Sequence, residues 1–417
     1  MNLAVTGVQL GGEEVTLRAE SGRIAELGPD VRSSEGDEVI DGSGLALVPG
    51  LVNGHTHAAM TLFRGSGDDL PLMDWLENHV WPIEAKLDDD DVYWGTRLAC
   101  AEMIRTGTVR FWDMYWRPAA VARAVHDAGV RAVIGQPLID GNDPGRTDEL
   151  RKDAERSLQE LADGPPRVDS ALAPHAIYTV SEPSLRWVAE AAAERKLPIH
   201  IHISETEQEV SDCEAAHGAR PAQYLDSLGL LGPRTLLAHS VWFDDSEFDL
   251  VAERGATIVT NPVSQMKLAV GRIFRYRSAH ERGIPVGLGT DGAGTNDSLD
   301  LFQDAKHFAL VQKHEAKDPT AITAEEVLEI ASGARAPLLG SSGRIAVGKP
   351  ADFLLVRRHS PELGIGPLST GLVYAATGSV VDTTVVDGVA LMRGGIVPGE
   401  VEILARARER ARRLGLC

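Results

Sequence analysis

Cysteine is scarce: three occur in 417 residues, Cys100, Cys213 and Cys417, too few and too scattered for a disulfide framework or a Cys-rich zinc module. That usage fits a reducing compartment. Basic charge is also short, 41 Lys and Arg against 61 Asp and Glu, for a formal net charge of −20. Binding a polyanion needs a concentrated cationic face, so nucleic acid is not expected as a partner. The one basic stripe, Arg406 to Arg413 (RARERARR), reads as the solvated face of a terminal helix. No run of about eighteen apolar residues exists as a membrane-spanning helix would need, and no basic flank leads into an apolar segment at the start. A cytoplasmic protein without a membrane partner is expected.

What is present is ordinary globular material, 43% hydrophobic and 24% charged, enough for one large core with a smaller satellite. Residues 1–49 alternate apolar and polar positions in LAVTGVQL, EEVTLRAE and RIAEL around glycine turns, and the same texture returns over 351–417 in ADFLLVRR and TTVVDGVALMRGG. Between them, over 50–350, the period switches repeatedly from two to about 3.6. That pattern predicts strands alternating with helices around a parallel sheet. Eight strands are predicted, LVPGLVNGH, TVRFWDM, RAVIGQPL, VDSALAPH, PIHIHIS, TLLAHS, ATIVTNP and IPVGLGTD, starting near 46, 108, 131, 168, 198, 235, 256 and 284. Helices are expected over Asp88 to Arg105, where the acidic run Asp88 to Asp91 marks a helix start, and over Ser181 to Lys196 with Ser181 as N-cap. The expected fold is α/β, a (β/α)8 TIM-like barrel with a small β-sandwich domain built from both chain ends.

Several histidines stand at the C-terminal ends of these strands, where such a barrel gathers its chemistry. His55 and His57 close the first, and a His-x-His pair on a strand turns both rings to one face. His175 closes the fourth, His200 and His202 the fifth with Glu205 following, His239 the sixth, and Asp291, within GTDGAG, the eighth. A lone histidine is usually a hydrogen-bonded, partly buried residue, which is the reading for His79, His126, His217, His280, His307, His314 and His359. The strand-end set is different, because imidazoles with one carboxylate suit a divalent ion of zinc or iron type and leave a position open for water. Such an ion makes water acidic. A base to take its proton and an acid for the leaving group are then needed, and Glu205 and His239 are the candidates. No lysine ends ALAPHAIY, where a carbamylated lysine could bridge a second ion, so one ion is expected. The H-x-E with P-C-x-x-C pattern of zinc deaminases acting on nucleic-acid bases is also missing.

PGLVNGHTHAAMTLFRG, DDLPLMDWL with WPIEAKL, APHAIYT, HIHISET, LAHSVW, NPVSQMKLA and GLGTDGAGTNDSLDLF follow one another as in the amidohydrolase superfamily. Nearly the whole chain resembles its branch of 5′-methylthioadenosine and S-adenosylhomocysteine deaminases and chloro-s-triazine hydrolases. The resemblance implies His55, His57, His202 and Asp291 as ligands of one divalent metal, with zinc ahead of iron and manganese. It implies Glu205 as proton shuttle, His239 beside the attacking water, and His200 as a barrel-interior residue. Glu84 in WPIEAKL looks like the carboxylate that receives ribose hydroxyls, and His175 like a substrate-facing histidine. In the branch members that accept homocysteine, an arginine at the end of the third strand and another slightly later pair with the substrate carboxylate. Here Gln136 takes the first place and Arg146 is the candidate for the second. A neutral amide cannot form the bidentate fork, so neutral 5′-substituted adenosines are expected ahead of S-adenosylhomocysteine. Gln265 departs too, standing where similar sequences often have asparagine. Trp81 is weighed evenly between ring stacking and core, while Trp75 and Trp112 are assigned to core.

The expected function is therefore a metal-dependent deaminase of an adenosine-like nucleoside that releases ammonia. The competing readings are a hydrolase of s-triazines or other amino- or chloro-heterocycles and, less favoured, a catalytically silent barrel serving as a binding module. The expected partner is a small molecule, and a homo-oligomer would be ordinary for the family.

Overall fold

The computed structural model describes residues 2–340 and 343–416. Cys100 and Cys213 are buried free thiols, while Cys417 lies outside the described residues. Five strands come first: β1 (Leu3–Leu10), β2 (Glu13–Glu20), β3 (Arg23–Gly28), β4 (Glu38–Asp41) and β5 (Leu45–Pro49). The two-residue turns Gly11–Gly12 and Ser21–Gly22 have positive φ at both positions, the geometry that matches strand twist in tight hairpins.

The chain then lays down β6 (Leu51–Thr56), β7 (Thr108–Met114), β8 (Arg131–Gly135) continued by β9 (Pro137–Leu138), β10 (Val168–Ser170) continued by β11 (Ala173–Pro174), β12 (Ile199–Ile203), β13 (Thr235–His239), β14 (Thr257–Thr260) and β15 (Val286–Leu288). All the pairings among these strands are parallel. One seam is closed by the Leu172–Ile199 bridge, with the His200 amide donating to Leu172 O at 2.9 Å. At the other, the Asp291 amide donates to His55 O at 3.0 Å. Gly289 permits that approach, since a Cβ there would lie 2.3 Å from Asn261 Oδ1 and 2.8 Å from His55 O. The alternating periods thus correspond to an eight-stranded (β/α)8 barrel.

The stretch predicted as a single first strand from about residue 46 is divided at Gly50. Residues before it belong to the terminal sheet and those after it to the barrel. At the junction a Cβ on Gly50 would lie 2.5 Å from both γ-carbons of Val109, so the backbone crosses β7 with no room for a side chain. β5 pairs antiparallel with β16 (Phe353–Arg357), which pairs with β17 (Val381–Val386) and through it β18 (Val389–Met392). Both chain ends therefore share one eight-stranded sheet. It closes over a core containing Leu3, Leu17, Ile24, Phe353, Leu355 and Val385. Arg131 at the start of β8 fastens this sheet to the barrel, donating to Asp352 at 2.9 Å and Asp387 at 2.7 Å.

Two helix expectations need correction in detail. The helix Asp89–Arg105 starts where predicted, with Asp88 and Asp91 forming a reciprocal capping box. The basic stripe on the terminal helix Glu400–Leu414, however, is not simply solvated. Arg410 pairs with Asp90 at 2.9 Å and Arg413 with Asp91, so the stripe docks onto the acidic run that begins the other helix. Ser181 occupies the cap position of Glu182–Arg195, yet its hydroxyl donates to Asp140 Oδ2 at 2.6 Å and accepts from no helix amide. Asp140 also accepts from the Ser184 hydroxyl and the Ser181 amide, and so anchors the helix start from a different loop. No helix among the described residues is long and apolar enough to cross a membrane.

The Gly50 junction generates a test. Gly50→Ala forces β5 and β7 apart, and overpacking of this kind costs about 1–3 kcal/mol. A lowered urea midpoint with unchanged slope is the expected result.

Candidate active site

Seven predicted side chains meet at the C-terminal mouth of the barrel. His55 and His57 stand at the end of β6, His202 in β12, and His239 ends β13. Nε2 of His55 and of His57 lie 3.4 and 3.2 Å from Asp291 Oδ1, and Nε2 of His202 lies 3.4 Å from that of His57. His239 joins His55 and His202 in a second group of converging ligand atoms, and Glu205, His239 and Asp291 form a third. His175 stands edge-on to His202 with ring centroids 4.8 Å apart.

The far side of each ring explains what the near side offers. His57 Nδ1 is 2.7 Å from Met114 O and His202 Nδ1 is 2.8 Å from His175 O, so in both rings the proton sits on Nδ1. His55 Nδ1 lies 2.8 Å from His200 Nε2. In each ring Nε2 is thereby turned inward, the atom through which each histidine would bind a metal. His55 Nε2 is buried with no hydrogen-bond partner, an omission that a cation at this point would repair. Nitrogen lone pairs and a carboxylate oxygen are also the donor set of zinc-type ions. This is a His/Asp metal-binding site.

Asp291 is tightly held. Its Oδ2 accepts from Ser264 at 2.7 Å and Thr295 at 3.0 Å, and Oδ1 accepts from the Gly292 amide at 2.9 Å. Burial works against its charge, yet the hydrogen-bonding imidazoles of His55 and His57 keep the carboxyl well below its ordinary range. Burial depresses His55 and His239 to about 4 and His175 to about 3, which favours their neutral forms, whereas at His57 burial is outweighed by Asp291, which raises the ring to about 9. Glu205 is pushed up to about 8 by burial and then by the charge of Asp291, which favours its protonated form. It lies 3.8 Å from His239 Nδ1. Backbone strain is concentrated here, with positive φ at Ser204 (49°), His239 (74°), Ser240 (52°) and Asp291 (62°), none of them glycine. Each such residue costs on the order of 1–3 kcal/mol, a cost met by surrounding contacts.

Above the cluster lies a cavity with one polar end, formed by His57, His175, His202, Glu205, His239 and Asp291. Apolar residues make the remainder, including Met60, Leu72, Trp75, Leu76, Val80 and Leu268. Glu84 faces into it, and its Oε2 accepts from Trp116 Nε1 at 3.1 Å. Burial raises the Glu84 carboxyl, while the Trp116 hydrogen bond opposes the rise. A second, wider groove adjoins through four shared residues, Trp81, Glu84, Trp116 and Ile139. Gln136 and Arg146 line only this outer groove, where Arg146 donates to Asp140 O at 3.2 Å and Glu149 at 3.3 Å. Trp81 borders both spaces, Trp75 is buried along the inner wall, and Trp112 is core beneath His200. Gln265 lies outside both, its amide turned to Thr260 Oγ1.

The amidohydrolase family model matches residues 46–391, the barrel with its return into the terminal sheet. The chain belongs to the amidohydrolase family. It is 44% identical over 410 residues to a 5′-deoxyadenosine deaminase of Methanoregula boonei, covering 97% of this chain and 92% of that one. Over 406 residues it is 43% identical to 5-methylthioadenosine/S-adenosylhomocysteine deaminase 1 of Archaeoglobus fulgidus, covering 96% and 95%. Among solved structures, a zinc-bound adenosine deaminase from Xanthomonas campestris superposes with a TM-score of 0.92 at 33% identity, covering 100% of this chain and 98% of that one.

This amidohydrolase site also holds His200, read from the sequence as barrel-interior, and other residues that the sequence did not single out. His200 is more than barrel filling, since it contacts the outer nitrogen of His55. Asp113 sits at the end of β7, its Oδ1 accepting from the Ala58 amide at 2.6 Å directly after His57, and burial pushes its carboxyl up to about 7. Asn261 lies against His239 Nδ1 at 3.2 Å, and Ser264 lies within the quoted NPVSQMKLA segment. Asp113 and Asn261 carried a usable signal, a polar residue at a barrel strand end. Trp116 carried none.

Outer partners of ligand histidines fix tautomer and orientation, and losing one typically costs about 10–100-fold in metal affinity. His200→Ala is accordingly expected to release zinc to a chelator about that much more readily, read by competition titration, with the fold unchanged by circular dichroism.

Proposed function

We propose that this amidohydrolase is a metal-dependent aminohydrolase that deaminates adenosine-like nucleosides, with neutral 5′-substituted forms preferred. The observation that carries the reading is that Glu84, a carboxylate braced by Trp116, shares one cavity with the His/Asp cluster. A ribose diol needs an acceptor of that kind, and a bare amino-heterocycle does not. The relatives named for 5′-deoxyadenosine and methylthioadenosine deamination support the same substrate class.

In this proposal His55, His57, His202 and Asp291 hold one divalent ion, zinc ahead of iron or manganese. When bound, such an ion supplies Lewis acidity that makes water a competent nucleophile near neutral pH. The chain's own groups do the rest. Asp291 and His239 orient the water and accept its proton as oxygen adds to the amine-bearing ring carbon. Glu205, in its protonated form, delivers its proton to the adjacent ring nitrogen. It then takes the proton of the newly added hydroxyl and passes it to the departing amine, so that ammonia leaves and an oxo group remains, and the water proton held by Asp291 and His239 returns to Glu205. His175, neutral and braced by Thr179 at 2.9 Å, faces the carbon that becomes tetrahedral. Glu84 anchors the ribose hydroxyls with the oxygen that Trp116 leaves free, and Trp81 stands where the sugar would leave the inner cavity. A 5′-substituent then extends toward Gln136 and Arg146, where one guanidinium and one amide replace a double arginine fork.

The test is ammonia release by zinc-loaded protein from 5′-deoxyadenosine, 5′-methylthioadenosine, adenosine, S-adenosylhomocysteine, guanine and a chlorotriazine. Turnover is expected to be fastest on the neutral adenosines and lost by about 10²–10⁴-fold in Glu205→Gln, the usual worth of a general acid. Preference for S-adenosylhomocysteine would remove the argument from Gln136, and turnover of the triazine alone would remove the nucleoside reading. Glu84→Ala is expected to raise KM on nucleosides by about tenfold or more, the loss of one or two charge-assisted hydrogen bonds. An unchanged KM would show that Glu84 does not touch the sugar.

A further inference from the structure

Glu205 does not sit on a strand. It follows Ser204, whose φ of 49° turns the chain sharply away from β12. Such a turn needs something to hold it, and the nearest carboxylate comes from the next helix. Glu209, in the first turn of Glu207–His217, is only 6% exposed. Its Oε1 accepts from the Ser204 amide at 2.8 Å and its Oε2 from the Glu205 amide at 2.9 Å. An acidic residue here ordinarily folds back on the cap residue. In this chain Thr206 performs the cap itself, accepting from the Glu209 amide at 3.2 Å. The Glu209 carboxylate is thereby spent on the two residues before the cap. From the other side, the Ser204 carbonyl accepts from the Trp242 amide and the Ile203 carbonyl from the Ser240 amide, both at 2.9 Å, which ties the same turn to the turn carrying His239.

We infer that Glu209 is a positioning residue for proton transfer, its carboxylate clamping the Ser204–Glu205 amides so that Glu205 is held beside His239 and facing the substrate cavity. The inference rests on the reading of Glu205 as the proton-transfer group. Both Glu209 oxygens accept amide protons, so a glutamine of the same shape sets one N–H against another and opens one side of the clamp. The helix start survives, because its cap is Thr206.

The experiment compares Glu209→Gln, Thr206→Ala and Glu205→Gln as zinc-loaded full-length proteins, measuring kcat and KM on 5′-deoxyadenosine, zinc per chain and urea midpoint. Small displacement of a reacting group costs on the order of 10²-fold. Glu209→Gln is expected to lose about that much kcat, with KM within about twofold and zinc content unchanged. Thr206→Ala is expected to lower the urea midpoint and keep kcat. The inference is overturned if folded Glu209→Gln keeps kcat within about threefold, or if Thr206→Ala loses as much kcat as Glu209→Gln. Should Glu209→Gln not fold, Glu209→Asp decides, since it keeps the charge but draws the acceptors back by one methylene. Loss of kcat at constant KM supports the clamp, and full kcat overturns it. An active Glu205→Gln would overturn the Glu205 reading and this inference together, whereas an inactive Glu205→Gln beside an active Glu209→Gln overturns this inference alone.

Discussion

A buried carboxylate facing several buried imidazoles sets the terms for the rest of this barrel. Asp291 is ionised although it is 4% exposed, and it stays so because two hydroxyls, one amide and two histidines converge on its oxygens. Every ring around it has an outer nitrogen committed elsewhere, to Met114, His175, His200 or Asn261. Lone pairs are therefore aimed at one point and cannot swing away. Such an arrangement is costly without a cation and well satisfied with one, which accounts for the strained residues gathered at the strand ends.

The same constraint sorts the surroundings into two spaces. The inner cavity is polar on the side of the cluster and, apart from Glu84, apolar on the side of the helical segment from Leu72 to Glu84. One π turn, Leu76–Val80, interrupts that segment. The extra residue shifts the helix register, so Leu72 and Trp75 before the turn, Leu76 and Val80 within it, and Trp81 and Glu84 after it all face the cavity. The outer groove is broader and collects Gln136 with Arg146. In the proposed function, chemistry and substrate discrimination therefore fall to different walls of one mouth. Changing a 5′-substituent preference need not disturb the cluster.

Much of this was legible because it follows from periodicity. Side chains in a strand alternate, so HTH and HIH had to present paired rings, and a strand-end position in a parallel barrel had to face the mouth. His55, His57, His202 and His239 meet for that reason, while Glu205 and Asp291 follow in the turns just after their strands. Readings that depended on partners from another element were less secure. The Arg406 to Arg413 stripe looked like a solvated face because its acidic counterpart lies more than 300 residues away. Ser181 had the composition of a cap and holds that position, but its hydroxyl is drawn to Asp140 in a different loop. Gln265 stood out in its motif and proved to be turned away from the cavity toward Thr260.

The sequence by itself determined the alternation of strands and helices, the β-rich texture of its two ends, and which residue types stand at the mouth, because each is a local property of pattern and spacing. Tertiary structure alone decided the division of the first strand at Gly50, the outer partners His200, Asn261 and Ser264, the bracing of Glu84 by Trp116, and the clamp of Glu209 on the turn bearing Glu205. The physical reason is that a hydrogen bond between elements depends on where the barrel closes and how each loop turns, and no periodicity within either partner's own segment records that geometry.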